Sequence, residues 1–321
     1  MRSTLLAIPV AFAAGAAAQA ADLRSELFEA EPAALLRTET LTVEAFGGYL
    51  GGIAREYVHN VPGDGKKLSQ LDWRTDAFAL GGRIAVRPTD WLTARIRGWS
   101  TVAGSADMTD YDWLGGYHGM NSWTHRSISP ANTAKAWQID GSLAATIYEE
   151  GDLAFSAIAG YRYLTTKWNA RGGSYVYSVN DFRDTAGYFP DRTVGTYQQW
   201  WQTPYLGLGT SASLGDWSFS GEVVGSPFVM ASSKDHHVLR DLVIRDKFGL
   251  SGMIGASASV EYRLTPAMSL TGRVEYQNYL GAKGGSRYAD GGAGTVTNYP
   301  SPLGGADAET MLVSLGVKAR M

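Results

Sequence analysis

The sequence predicts an all-β fold, a ten-stranded antiparallel transmembrane β-barrel of the outer membrane, and three observations carry this prediction. Apolar and polar side chains alternate with a period of two, short and long connections alternate along the chain, and the N-terminus resembles an export signal. Residues 92–97, for example, read Leu-Thr-Ala-Arg-Ile-Arg, and residues 260–264 read Val-Glu-Tyr-Arg-Leu. Such alternation is typical of strands with one apolar and one polar face.

The first twenty residues have the form of a secretory signal peptide. Arg2 precedes an apolar run over residues 5–18, and small residues lead up to Ala20. The run is too short to cross a bilayer as a helix, which takes roughly 20 apolar residues. We expect residues 1–20 to be removed by cleavage after Ala20, and residues 21–321 to form a single barrel domain.

The spacing of turn signals predicts the number of strands. Short turns are expected near residues 88–90, 149–152, 215–216 and 265–267, and long polar, Gly-rich loops near residues 58–70, 104–134, 172–196, 230–246 and 280–306. Four short turns and five long loops join ten strands, with both termini on the short-turn side. Outer-membrane barrels have this asymmetry. A soluble β-sandwich or lipocalin-like barrel is the alternative, but the expected strands are longer than is usual in soluble proteins.

Composition excludes several functional classes. The chain has no cysteine, so a disulfide framework, a thiolate metal site and a cysteine nucleophile are ruled out. Its 28 basic and 31 acidic residues give a net charge of -3, which argues against nucleic acid as a partner. A ten-stranded barrel should have a narrow lumen filled by polar side chains, which disfavours a diffusion porin.

Two polar clusters stand in long loops that belong to the same end of the barrel. Residues two apart share a face in extended chain, so Asp110 pairs with Asp112, and Asp235 pairs with His237. Asp235 can accept a hydrogen bond from His237 and fix its tautomer. A water between His237 and Asp110 then loses its proton as it attacks a carbonyl. Asp112 should raise a carboxyl pKa through like-charge repulsion.

The spacing alone leaves other interpretations open. An Asp-x-Asp segment is commonly a solvated turn or a calcium ligand, and Asp-His-His can be a polar rim or a fortuitous metal site. Strand parity extrapolated from Leu92 and from Trp217 also points Asp110 and Asp235 outward. A bulge near Gly104 and another at Pro227 would have to intervene to turn both side chains inward.

Several motifs of the chain stand in the order found in one family. They are Leu68-Ser69-Gln70-Leu71-Asp72-Trp73, Asp110-Tyr111-Asp112-Trp113, Ala170-Arg171-Gly172-Gly173-Ser174-Tyr175, Phe182-Arg183-Asp184 and Pro204-Tyr205-Leu206-Gly207-Leu208. Through these motifs nearly the whole mature chain resembles the omptins, outer-membrane proteases of Gram-negative bacteria. The resemblance implies an extracellular active site in which Asp110 and Asp112 face Asp235 and His237.

The resemblance also implies a substrate pocket, with departures. Glu56 matches an acidic residue that receives a basic side chain before the cleaved bond, and Met108 lies near it. Ser233 stands where omptins have a second acidic residue, and His125 stands where another is expected. We therefore expect Glu56 alone to select Arg or Lys, more weakly. The alternative for Glu56 is an ordinary lumen carboxylate paired with Arg55 or another barrel arginine.

Lipopolysaccharide is an activator that the resemblance implies. Tyr161 is kept, but Thr165 and Trp200 stand where the family would place arginines that bind this lipid. Arg171 is expected to brace loop geometry. We expect no metal or organic cofactor and a monomeric protein.

The expected function is that of an endopeptidase that hydrolyses extracellular peptides or proteins through a water nucleophile, with a basic residue before the scissile bond. A catalytically silent barrel that acts as an adhesin or a structural envelope protein is the alternative, and the missing acidic residues motivate it.

Overall fold

The computed structural model describes residues 41–61, 63–115 and 122–321. The predicted signal peptide, residues 1–20, and the segment 21–40 lie outside this part of the chain. Within it, no helix is long and apolar enough to cross a membrane. The strands are β1 (Leu41–His59), β2 (Lys67–Thr89), β3 (Leu92–Asp112), β4 (His125–Glu150), β5 (Leu153–Arg171), β6 (Ser174–Tyr177), β7 (Thr185–Tyr188), β8 (Thr193–Leu214), β9 (Trp217–His237), β10 (Leu242–Phe248), β11 (Ser251–Thr265), β12 (Met268–Asp290) and β13 (Thr295–Arg320).

These strands close into an antiparallel barrel with ten strand positions. Neighbouring positions pair in the order β1-β2-β3-β4-β5-β8-β9, then the position shared by β10 and β11, then β12 and β13, and β13 pairs back with β1. Strands β10 and β11 together occupy one position of the barrel, because both pair with β9 and with β12. Strands β6 and β7 are a side hairpin on β4. The ten-stranded fold is confirmed.

The four predicted short turns are confirmed, but the prediction of long loops was largely wrong. Residues 104–112 continue β3, and residues 230–237 continue β9. Strands β1 and β13 contain 19 and 26 residues, whereas a strand crosses a membrane in about 9–11 residues. The polar stretches are therefore strand that extends beyond the membrane on one side. The 3-10 turn Val238–Arg240 is the short connection between β9 and β10.

Apolar side chains form a band on the outside of the barrel, in the half that carries the short turns. On β2 the exposed residues are Phe78, Leu80, Ile84 and Val86, and on β13 they are Met311, Val313, Leu315 and Val317. An outward apolar band suits contact with lipid. Beyond it, the upper barrel, which carries the long ends of the strands, projects into water.

Side chains fill the lumen at two levels. The lower level is charged: Arg97 pairs with Glu275, and Arg162 Nε donates to Asp140 Oδ2 at 2.7 Å. The predicted polar lumen is confirmed by this layer. Above it, Trp73, Trp168 and Tyr197 stack with ring centroids 5.7–5.9 Å apart. The aromatic layer is the floor of a cleft at the far end of the barrel.

Candidate active site

A β-bulge in β3 turns the two aspartates inward. Phe78 and Ala79 of β2 pair with Ala103 and Thr101, so Val102 is an extra residue in β3. Odd-numbered residues such as Arg97 face the lumen before the bulge, and even-numbered ones such as Met108 do so after it. The predicted bulge near Gly104 is thus confirmed, two residues earlier.

A second bulge does the same in β9. Five residues of β8, from Gln202 to Leu206, lie opposite six residues of β9, from Met230 back to Gly225. The irregular segment contains Pro227, whose missing N–H removes a ladder hydrogen bond. The N–H of Phe228 donates to Ser226 Oγ at 3.0 Å. The bulge predicted at Pro227 is confirmed, and odd-numbered residues, Asp235 among them, face inward after it.

Asp235 and His237 are neighbours on the inner face of β9. Oδ2 of the buried Asp235 lies 2.7 Å from Nε2 of His237, which is an ion-pair distance. The contact is not aligned as a hydrogen bond, and Oδ2 has no hydrogen-bond donor among the described residues. Catalytic hydrogen bonds are often poorly aligned in a free enzyme and tighten with substrate.

Asp110 and Asp112 occupy successive inward positions at the end of β3. Burial raises the pKa of Asp110 well above its usual value, and the charges of Asp112 and Asp235 raise it further. Burial also raises the pKa of Asp112. Ser69 Oγ of β2 donates weakly to Asp110 Oδ1 at 3.4 Å. The predicted like-charge effect is confirmed in direction, although burial contributes more than charge.

The two pairs face one another across the cleft. Strands β3 and β9 are separated in the ring by β4, β5 and β8, so their inner faces oppose each other. The charge of Asp235 raises the pKa of Asp110, and His237 lowers that of Asp112. The structure thus brings together the four residues that the sequence singled out.

The arrangement combines an imidazole with carboxylates in a partly desolvated cleft. Such a set can hold a water, remove its proton and return that proton to a leaving group. Among the described residues, no cluster of histidines and acids has the geometry to hold a metal ion.

The three predicted pocket residues also line the cleft. Glu56 of β1 is only 2% exposed, Met108 is buried on β3, and Ser233 is buried on β9. The alternative that pairs Glu56 with a barrel arginine is wrong, because Arg55 Nη1 donates to Asp307 Oδ1 at 3.0 Å and no described arginine forms an ion pair with Glu56. Oε2 of Glu56 has no hydrogen-bond partner among the described residues.

Sequence reasoning missed three residues of the cleft. Asp246 of β10 is buried and pairs with Ser233 across the hairpin. Arg240 of the 3-10 turn lowers the pKa of both Asp110 and Asp112. Burial raises the pKa of Tyr177 to about 12, and the charges of Asp110 and Asp112 add to this. The sequence of β10, Leu-Val-Ile-Arg-Asp-Lys-Phe, has no apolar–polar alternation that could have identified Asp246.

The remaining residues that the sequence singled out lie in the ladders and loops around the cleft and on the barrel wall. His125 pairs with Asp112 in the β3–β4 ladder, and its ring centroid lies 5.1 Å from that of Tyr177. Arg171 Nε donates to Asp191 Oδ1 at 2.7 Å in the loop after β7, and its loop-bracing role stays a prediction. Tyr161 donates to Gln202 at 2.9 Å, and Thr165 is buried beside Trp200 of β8. Activation by lipopolysaccharide stays a prediction.

Known proteins resemble this chain along most of its length. The Omptin family model matches residues 37–321. The plasminogen activator of Yersinia pestis is 31% identical over 287 residues, which cover 88% of this chain and 90% of that protein. Outer membrane protease OmpP of Escherichia coli K12 is 30% identical over 74% of this chain and 77% of its own length.

The fold agrees with a solved structure. The crystal structure of outer membrane protease OmpT from Escherichia coli superposes with a TM-score of 0.84 at 24% identity, covering 89% of this chain and 98% of that one. Together with the family match, this places the barrel in the outer membrane. The chain therefore belongs to the Omptin family and is an outer-membrane protease.

Proposed function

We propose that the chain is an endopeptidase that hydrolyses extracellular peptides or proteins with a water nucleophile activated by an aspartate-histidine site. The observation that carries this proposal is the 2.7 Å contact between Asp235 and His237, on the wall of the cleft that faces Asp110 and Asp112. Both pairs reach the cleft only because β3 and β9 are bulged. Two irregularities that converge on one cleft favour a functional site over solvated turns.

The roles follow from which nitrogen faces which acid. Nε2 of His237 lies against Asp235, so its proton belongs on Nε2. Nδ1, which accepts a hydrogen bond from Arg240 at 3.1 Å, is the nitrogen that takes the water proton once Arg240 is displaced. The water oxygen attacks the peptide carbonyl carbon, a C–O bond forms, and the carbonyl π electrons move to its oxygen. The water proton passes to Nδ1 while Asp110 holds the other water hydrogen. No acyl-enzyme forms.

The second half of the reaction returns the proton. As the tetrahedral intermediate collapses, the C–N bond breaks and the imidazolium of His237 gives its proton to the leaving amine. Asp235 stabilises the imidazolium, as the carboxylate partner of a catalytic histidine does. Asp112 supports the aspartate pair electrostatically, because its charge raises the pKa of the Asp110 carboxyl.

Specificity in this proposal comes from the buried Glu56 carboxylate, which would bind a basic side chain before the scissile bond. We further propose that the protein works as a monomer without a metal or organic cofactor, and that lipopolysaccharide activates it.

The test is cleavage of a mixed peptide library by the refolded protein, read by mass spectrometry, with and without lipopolysaccharide. The matched control is Asp110→Ala. Cuts after Arg or Lys that vanish in the control are the expected result. Cuts that persist in Asp110→Ala would remove the mechanism, and dependence on the lipid would appear as a difference between the two arms.

A further inference from the structure

The hairpin of β9 and β10 places a second carboxylate beside Glu56. Asp246 lies opposite Ser233 in the ladder, and Ser233 Oγ donates to Asp246 Oδ2 at 2.8 Å. Asp246 is 3% exposed, and the preceding inward residue of β10, Ile244, is also buried. The acidic residue that is absent at position 233 is thus present on the neighbouring strand, within hydrogen-bonding distance of that position.

Glu56 and Asp246 belong to the same pocket. Burial raises the pKa of Glu56 well above its usual value, and the charges of Asp235, Asp246 and Asp110 raise it further. Burial likewise raises the pKa of Asp246. Tyr288 of β12 lies near both carboxylates, since their charges contribute to the raised pKa of its phenol. The two acids are therefore close enough to repel each other.

Each of the two carboxylates has an oxygen without a hydrogen-bond donor. Within the described part of the chain, Glu56 Oε2 and Asp246 Oδ1 are buried and have no donor in hydrogen-bonding geometry, although the nearby Ser286 hydroxyl lowers the pKa of Asp246. A buried charged oxygen without a donor is costly, and a cation with several N–H groups removes that cost. Two such oxygens in one pocket call for a ligand that donates to both.

The backbone of β13 leaves room for the Asp246 side chain itself. A Cβ added at Gly304 of β13 would lie 2.8 Å from Asp246 Oδ1 and 2.7 Å from Ser286 Oγ, closer than real Cβ atoms approach. The next inward residue of β13, Ala306, is also small and pairs with Glu56. Small residues on β13 thus allow both acid side chains to lie against this strand on the inner face of the barrel.

We infer that Asp246 is a specificity-determining residue, which together with Glu56 binds the guanidinium or ammonium group of the substrate residue before the scissile bond. This inference rests on the proposed function for the identity of the substrate. It corrects the expectation that one carboxylate acts alone. The pocket keeps two acids because the second has moved across the β9–β10 hairpin, with Ser233 reduced to a hydrogen-bond donor.

The test compares cleavage of two peptides that differ only in arginine or citrulline before the bond, because citrulline keeps the shape and loses the charge. We expect Asp246→Asn to reduce the preference for arginine about 10- to 100-fold, the range for a hydrogen bond to a charged group. The exchange variant Ser233→Asp/Asp246→Ser should recover most of it. Asp290→Asn, at the last residue of β12, is the matched control and should keep the preference.

A binding measurement separates this inference from the proposed function. Equilibrium binding of N-acetyl-arginine amide needs no cleavage, and Asp246→Asn should weaken it about 10- to 100-fold. If the wild type cleaves nothing but loses this binding in Asp246→Asn, the proposed function fails and the pocket stands. Unchanged binding and unchanged preference in a folded Asp246→Asn protein would overturn the role of Asp246, whatever the activity.

Discussion

Arg240 Nη2 donates a 3.1 Å hydrogen bond to Nδ1 of His237. A guanidinium can only donate, so Nδ1 carries no proton and the neutral imidazole has its hydrogen on Nε2, toward Asp235. This is the tautomer that the proposed mechanism needs. The same contact occupies the nitrogen that should receive the proton of water, so Arg240, which is exposed on the 3-10 turn, must move aside when substrate binds.

Replacing Arg240 with Ala should therefore change activity in opposite directions at high and low pH. Near pH 8 we expect kcat/KM to rise about 2- to 10-fold, because a hydrogen bond worth about 0.5–1.5 kcal/mol no longer has to break. At acid pH we expect kcat/KM to fall, because Arg240 lowers the pKa of Asp110 and Asp112, and without it both carboxyl groups stay protonated up to a higher pH. Arg245→Ala, at an exposed residue of β10, is the control. A uniform loss at every pH would contradict the displacement of Arg240.

The adjacent histidines offer a matched pair of variants. His237 faces the cleft, whereas His236 lies on the other face of β9 and its Nε2 is 3.8 Å from Asp241 Oδ1. We expect His237→Ala to lower kcat by about 10²–10⁴, the usual contribution of a general base. His236→Ala should stay within a few-fold of wild type. Equal effects of the two changes would show that the imidazole of His237 has no special role.

Asp112→Asn should move the acid limb of the kcat/KM profile to lower pH. The charge of Asp112 is the largest contribution after burial to the raised pKa of Asp110, so its removal lets Asp110 ionise at lower pH. The ionised form is the one that holds water in the proposed mechanism. Initial rates across a pH series for wild type and variant measure the shift. An acid limb that stays in place would mean that Asp110 does not control it.

Much of this molecule could be predicted from its sequence. The short turns at Asp90 and at Gly215 follow from local residue chemistry, and the period-two pattern identifies the strands of the apolar band. Beyond the band both faces of a strand are polar, as they are around Lys234. The apolar–polar alternation is then lost, and the sequence of a strand cannot be distinguished from that of a polar loop. For that reason the long loops were predicted where the structure has strand.

The candidate site was predictable in its members but not in all its partners. Asp110 and Asp235 could be proposed because each has a neighbour two residues away, and parity alone demanded the bulges. Asp246 depends on the register of β9 with β10, which a short turn sets. There Asp241 adopts a left-handed φ of 48°. A shift of one residue in that turn would point Asp246 outward, and no local pattern fixes the register.

Deleting Val102 should inactivate the enzyme while leaving the barrel folded. The deletion removes the extra residue of β3, so Asp110 and Asp112 turn to the outer face, which is water-exposed at this height. We expect activity to fall by about 10²–10⁴, as for loss of general-base assistance. Heat-modifiable gel migration checks that the barrel has formed. A folded and fully active deletion variant would show that the bulge does not position the aspartates.

Glu56→Gln should stabilise the protein at high pH, because the buried carboxylate of Glu56 near other acids destabilises the folded state. Burial raises the pKa of Glu56 in the folded protein. The contribution of Glu56 to the free energy of unfolding is therefore fully present below the unfolded pKa of about 4.3, and it is lost as pH rises through the higher folded pKa. A neutral amide removes that loss. At pH 8 we expect a gain of about 1–3 kcal/mol, the cost of an unsatisfied buried polar group, and at pH 4 almost none.

Thermal unfolding in detergent, followed by tryptophan fluorescence at the two pH values, measures this difference. Glu309→Gln is the matched control, because Glu309 of β13 accepts a hydrogen bond from Tyr276 at 2.9 Å and so already has a donor. Its replacement should give no gain at pH 8. A gain in Glu56→Gln that is the same at pH 4 and pH 8 would mean that the charge of Glu56 is not its source. Stabilisation confined to high pH, together with lost preference for arginine over citrulline, would identify the strain in this pocket as the origin of its specificity.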